Sequence, residues 1–217
     1  MAYFPMFIDI KGKKCTVAGG GTVALRKIES LLKFEGCVEV IAPVICEEIK
    51  ELAEKIRLTG ELCLIEREVK QEDLKDSFLV IAATNQRETN HAISGYCREQ
   101  GIFVNVIDSK EECSFVFPAT VKRENISIGI TTSGGSPVLS STIRKSVEQS
   151  VPEYYGKLSV DLGNWREELK VRVEKESVRK KIFRELALQG IEKEGKISRE
   201  DFEKIIDSFE HDGTMTE

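Results

Sequence analysis

One stretch limits the folds open to this chain more than any other: Cys15-Thr16-Val17-Ala18-Gly19-Gly20-Gly21-Thr22-Val23-Ala24. It reads as a short apolar strand, a glycine turn and the first turn of a helix. Gly19, Gly21 and Ala24 occupy the small positions of a Gly-x-Gly-x-x-Gly/Ala fingerprint. In that pattern the first glycine makes the tight turn and the second lets backbone approach a pyrophosphate. The third small residue lets the helix pack close to the strand. The anion would rest on backbone N–H groups at the positive end of the helix. A plain strand-to-helix turn would show the same letters, so the flanking pattern has to decide.

That pattern alternates strand and helix. Val23, Ala24, Ile28, Leu31 and Leu32 recur at helical spacing, and Gly36 is placed to end the helix. Strands are expected at Cys37–Ala42, Glu61–Ile65, Phe78–Ala83 and Ile102–Val106. Helices are expected at Glu47–Ile56 and Glu88–Gln100, with a short helical turn at Gln71–Leu74. Phe78-Leu79-Val80-Ile81-Ala82-Ala83 is continuously apolar, as a strand buried on both faces must be. Such alternation implies a parallel sheet with right-handed crossovers. Pro5–Ile10 is a lead-in segment compatible with an edge strand. The acid that usually holds the adenosine ribose after the second strand is missing: the corner reads Ile41-Ala42-Pro43-Val44, and Glu39 is mid-strand.

The second half changes character. Cys113–Val121 and Ile126–Thr131 read as two arms of a hairpin around Lys122–Asn125. A second glycine turn, Thr132-Ser133-Gly134-Gly135-Ser136-Pro137, precedes a helix over Val138–Ser150. The remainder is helical and charged. Leu158, Leu162, Trp165, Leu169 and Val173 form a packing stripe, Ser177 and Ser198 are candidate N-caps, and His211–Glu217 reads as a frayed tail. Gly195–Phe202 echoes the end of a calcium loop, but Gly190 falls on the first ligand position and the Asp-x-Asp-x-Asp start is absent.

Net charge is −5, which argues against a nucleic-acid partner. No run of 18 apolar residues occurs, so no membrane span is expected, and the N-terminus lacks a basic leader. Cys15, Cys37, Cys46, Cys63, Cys97 and Cys113 are scattered without a CxxC, which fits reduced thiols in a cytoplasmic protein. With only His91 and His211, no metal site is assigned.

In order along the chain stand Pro5-Met6-Phe7, Gly19-Gly20-Gly21-x-Val23-Ala24-x-Arg26-Lys27, Ala82-Ala83-Thr84-Asn85, Asn105-Val106-Ile107-Asp108, Ser114-Phe115-x-Phe117-Pro118-Ala119 and Thr132-Ser133-Gly134-Gly135-Ser136-Pro137. This combination, from about Tyr3 to Pro152, resembles the precorrin-2 dehydrogenase family, the dehydrogenase/ferrochelatase module of siroheme synthesis. The resemblance implies a Rossmann-type parallel sheet over 1–113, a hairpin-containing dimerisation region over 114–152 and a small helical domain over 153–217. It implies NAD-dependent oxidation of precorrin-2 to sirohydrochlorin by a homodimer, with iron chelation left open. Carried onto these residues, Gly19, Gly21, Thr22 and Val23 lie next to the pyrophosphate, Pro43 and Val44 beside the adenosine, and Thr84 and Asn85 along the cofactor cleft. Asp108 is the catalytic acid or base, and Ser133, Gly134 and Gly135 line the tetrapyrrole site, with Arg144 among the cations available to its carboxylates. Arg26, Lys27, Lys122, Arg123 and Lys145 are further cations of that kind.

The residues agree with that chemistry on independent grounds. Ligands of open parallel sheets bind past the carboxyl ends of the strands, where Gly19–Gly21, Pro43-Val44, Thr84-Asn85 and Asp108 all fall. Asp108 is the carboxylate best placed to take a proton, although an Asp there could also cap the turn Ser109-Lys110-Glu111. Two alternatives stay open: a non-catalytic NAD-sensing module, and a dehydrogenase for another anionic substrate.

Overall fold

The computed structural model describes residues 3–58 and 60–211. The chain divides into two compact units, Met1–Phe117 and Pro118–Glu217. The first ends four residues beyond the expected boundary at 113, because Phe115 and Phe117 pack on the core of the first unit. The regions expected at 114–152 and 153–217 otherwise lie together in the second unit.

The first unit is a doubly wound α/β fold. Its strands are β1 (Lys14–Ala18), β2 (Cys37–Ile41), β3 (Leu62–Ile65), β4 (Leu79–Ala82) and β5 (Phe103–Val106), all parallel, in the order β3-β2-β1-β4-β5. Helices α1 (Thr22–Leu32), α2 (Glu47–Lys55) and α3 (Arg87–Gln100) make the crossovers. Alternate residues of the strands feed two cores. Val17 and Ile81 join Ala24, Ile28 and Ile49 on one face, whereas Ala18, Val80 and Ala82 join Ile93 and Cys97 on the other. Every residue of β4 is buried, as its unbroken apolar run requires. Thr16 is tolerated in the core because its hydroxyl lies 2.8 Å from that of Ser77. The order reverses between β1 and β4, and that switch point opens a crevice at their carboxyl ends.

Three local expectations are corrected. Pro5–Ile10 forms no strand; Phe4, Met6 and Phe7 are exposed. Helix α1 ends at Leu32, and Glu35 rather than Gly36 takes the left-handed conformation (φ 60°). There the Gly36 N–H donates to Leu31 O and the Glu35 N–H to Leu32 O, a Schellman-type ending. Gly36 is needed for closeness instead, since a Cβ there would sit 3.2 Å from Cys15 Sγ. Finally, Cys113–Pro118 is not strand. Ser114 is held to Val104 (N–H to O 2.8 Å), Asn105 Nδ2 donates to Phe115 O (3.1 Å), and Pro118 has no N–H, so pairing starts at Ala119.

In the second unit β6 (Ala119–Arg123) pairs antiparallel with β7 (Ile126–Ile130) around Glu124-Asn125. Helix α4 (Pro137–Ser150) follows, then α5 (Tyr154–Arg172), α6 (Glu176–Glu192) and α7 (Arg199–His211). The last three share a core built on Leu158, Leu169, Ile182, Leu186, Phe202 and Ile206, with Trp165 stacked on Phe202. Ser177 is not a cap, since α6 already begins at Glu176. Ser198 is one: its Oγ accepts from the Asp201 N–H (3.2 Å) while Asp201 accepts from the Ser198 N–H (2.8 Å). Lys193 also pairs with Asp201 and, with that cap, holds its carboxyl far below the usual carboxylate range. Asp201 is thus fully engaged in the helix connection that the calcium-like letters encode. Of the expected tail, residues 212–217 lie outside the described residues.

Candidate active site

The ends of all five parallel strands meet in one cleft of about 630 Å³. Gly19, Gly20 and Gly21 enter it from β1, Ala42, Pro43 and Val44 from β2, and Glu68 and Val69 from β3. Ala83, Thr84 and Asn85 come from β4, and Ile107 and Asp108 from β5. Every cofactor-contact residue read from the sequence in this unit, and Asp108, therefore lines a single hollow. Glu68, Val69, Cys46, Gln86 and Thr89 line it as well and carried no motif.

The three glycines do different work. Gly19 has φ 134°, and a Cβ there would stand 2.2 Å from Ala83 O. Gly20, the unconstrained position of the fingerprint, would place its Cβ 2.3 Å from Val44 O. Gly21 is the opposite case. Its φ of −92° and ψ of −176° suit any residue, and a Cβ would meet nothing within 4 Å. Nothing described inside the protein requires glycine there, and the open backbone leaves room for a ligand to approach. Gly21 is also the N-cap of α1, contributes no side chain to cap the first turn, and is followed by no acid in that turn. The positive end of α1 is thus available to an anion, and these residues fit a dinucleotide pyrophosphate.

The β4 wall is held by a residue that sequence reasoning missed. Asn90 of α3 is buried, and its Oδ1 accepts from the Thr84 N–H (3.2 Å) and Oγ1 (2.7 Å) while its Nδ2 donates to Thr84 O (3.0 Å). Thr84 Oγ1 also accepts from the Gln86 N–H (3.2 Å). With its polar groups engaged internally, Thr84 shapes the wall, and the exposed Asn85 beside it offers the side chain. Asn90→Ala is expected to cost about 2–3 kcal/mol of stability by stranding these groups, and to weaken dinucleotide binding. Urea unfolding and a dinucleotide titration check this; wild-type values in both would contradict it.

Asp108 is exposed, adopts φ 59°, and has no side-chain hydrogen bond or ion pair among the described residues. It does not cap the following turn, whose N-cap is Ser109. That turn is tethered from outside. His91 Nδ1 lies 2.6 Å from Glu112 Oε1 and holds the carboxyl below its ordinary range, and Ser94 Oγ donates to Glu112 O (2.8 Å). The Cys113 thiol lies 3.2 Å from both the Val106 N–H and Ser109 O. His91 is thereby a fixture of the loop. Nearby cations are less uniform: Lys27 stands over the Phe117 ring at 4.1 Å, and burial lowers its pKa.

In the second unit, Ser133 (φ 54°) and Gly134 (φ 79°) form a left-handed turn before α4. Thr132 Oγ1 accepts from the Ser136 N–H (3.1 Å), and Ser136 Oγ caps α4 through the Leu139 N–H (3.1 Å). Gly135 closes the turn through its N–H to Thr132 O (2.9 Å). Arg144 is paired with Glu148 one turn along the same helix. Arg123 is held by Glu153 and Val151 O.

A family model described as putative NAD(P)-binding matches residues 6–119. The chain belongs to this family. Among curated relatives, it is 40% identical over 172 residues to the siroheme synthase of Vesicomyosocius okutanii subsp. Calyptogena okutanii (strain HA), covering 79% of this chain and 36% of that protein. It is 35% identical over 190 residues to the siroheme synthase of Nitrosococcus oceani, covering 88% of this chain and 40% of that protein. The chain thus spans well under half the length of these relatives. A solved structure named SirC, precorrin-2 dehydrogenase, matches with a TM-score of 0.70 and 25% identity, covering 96% of this chain and all of that one. These likenesses bear out the family resemblance carried by the sequence motifs. Among the described residues no helix is long and apolar enough to cross a membrane.

Proposed function

We propose that this chain oxidises precorrin-2 to sirohydrochlorin with NAD as the acceptor. The observation that carries this reading is the placement of Asp108 in the same cleft as the open glycine turn, in a chain similar to a precorrin-2 dehydrogenase and to siroheme synthases. When bound, NAD supplies the hydride acceptor. The protein supplies position and a base. Gly21 and the first turn of α1 receive the pyrophosphate, Pro43 and Val44 flank the adenosine, and Asn85 lines the far wall. The Asp108 carboxylate takes the proton that the macrocycle releases as it loses two electrons. Ser133, Gly134, Gly135 and Arg144 receive substrate carboxylates. Arg144 reaches one by exchanging Glu148, a half-exposed partner whose loss costs little.

The same reading includes a cytoplasmic homodimer. Its support is α4, which buries no residue and exposes Val138, Leu139 and Ile143. Sedimentation of the purified protein tests the assembly. Ferrous ion added to sirohydrochlorin, with an enzyme-free control, decides whether chelation belongs to the activity. The oxidation itself is tested by mixing the protein with precorrin-2 and NAD; absence of both NADH and the sirohydrochlorin chromophore would overturn it.

A further inference from the structure

We infer that Glu68 selects NAD over NADP in this cleft, replacing the acid missing from the end of β2; the inference rests on the dinucleotide reading above. In folds of this kind an acid at the end of the second strand accepts a hydrogen bond from the adenosine ribose 2′-hydroxyl, and an arginine there accommodates a 2′-phosphate. Here the corner is Ala42-Pro43-Val44, and Glu39, three residues earlier, is paired with Lys14 (3.1 Å).

An acidic residue enters the same cleft from the neighbouring strand. β2 and β3 run in parallel register with Ile41 beside Ile65, and the Ala42 N–H donates to Ile65 O (3.2 Å). The segments leaving the two strands therefore start side by side. Glu68 follows Ile65 by three residues and lines the cleft with Ala42, Pro43 and Val44. Its backbone is fixed, because Arg67 Nη1 donates to Glu68 O (3.0 Å) and the same guanidinium holds Asp73 through two bonds of 2.7 Å. The Glu68 side chain is exposed and, among the described residues, takes part in no hydrogen bond or ion pair.

Two neighbouring cations are already committed. Lys50 pairs with Glu66 (2.7 Å) and Arg67 with Asp73. Among the described residues that line the cleft there is no lysine or arginine. A 2′-hydroxyl finds an acceptor at this corner, whereas a 2′-phosphate meets a like charge with no lysine or arginine among the described residues that line the cleft. Discrimination thus combines one attractive and one repulsive element.

Calorimetric dissociation constants for NAD and NADP, measured on the full chain and on Glu68→Gln and Glu68→Lys, test this. The wild type is expected to prefer NAD by about 100-fold, and Glu68→Gln to shrink that ratio at least about tenfold, mainly through tighter NADP. Glu68→Lys is expected to shrink it further and favour NADP. Because Glu68 is exposed and unpaired, thermal melts of both variants should match the wild type. A wild type that binds both dinucleotides equally overturns the inference, as does a ratio unchanged in both variants while NAD still binds; in either case the dinucleotide reading survives. A wild type that binds neither removes that reading and the inference together.

Discussion

Asp108→Asn is expected to lower the rate of precorrin-2 oxidation by about 10²–10⁴-fold, the usual contribution of a positioned general base, with NAD affinity unchanged within about twofold. Asparagine is the informative replacement because Asp108 sits at φ 59°, a left-handed conformation that Asn adopts readily. Alanine at the same place would add about 1 kcal/mol of backbone strain and confuse lost chemistry with a displaced loop. The loop should hold in the Asn variant, since Glu112 and Cys113 tether it to α3 and β5 through atoms other than the Asp108 carboxylate. Full turnover in Asp108→Asn would remove Asp108 from the chemistry.

The second large effect separates two neighbouring glycines. Gly19→Ala is expected to destabilise the first unit by about 3–5 kcal/mol, combining backbone strain at positive φ with overpacking. The methyl group would be driven to 2.2 Å from the Ala83 carbonyl, which is main chain of the adjacent strand end and cannot swing aside. A fall in melting temperature of about 10 °C or more follows. Gly21→Ala, two residues on, meets nothing within 4 Å and should melt like the wild type. Its methyl instead enters the open space where we propose the pyrophosphate binds, and NAD binding should weaken by about tenfold or more. Thermal melts and NAD titrations of the two variants check the contrast. If Gly21→Ala binds NAD normally, the glycine turn is only a turn.

Much of the first unit was legible because its signals are local. An apolar run as short as Phe78–Ala83 is the mark of a strand buried on both faces, and the carboxyl ends of parallel strands converge by topology. What escaped depends on contacts between segments distant in sequence. Gly20 looks unconstrained until Val44 O is placed against it. Glu68 has no motif, because its relevance comes from the register between β2 and β3. Asn90 reads as an ordinary polar residue on a helix until its amide is found clasping Thr84. The hairpin starts later than its letters suggest, because the apolar residues from Cys113 to Phe117 resemble a strand, whereas their side chains serve the core of the first unit. At the end of α1 the left-handed residue is Glu35, while Gly36 beside it leaves room for Cys15, features that no local pattern announces.

We propose that one cleft couples the binding of a dinucleotide to oxidation of a tetrapyrrole. The most direct test of this coupling is the stoichiometry of a single turnover under strict anaerobiosis, with precorrin-2 in excess over NAD and an enzyme-free control. One NADH per sirohydrochlorin, with product formation ceasing when NAD is exhausted, is the expected result. Sirohydrochlorin formed without NADH, or at the enzyme-free rate, would contradict it.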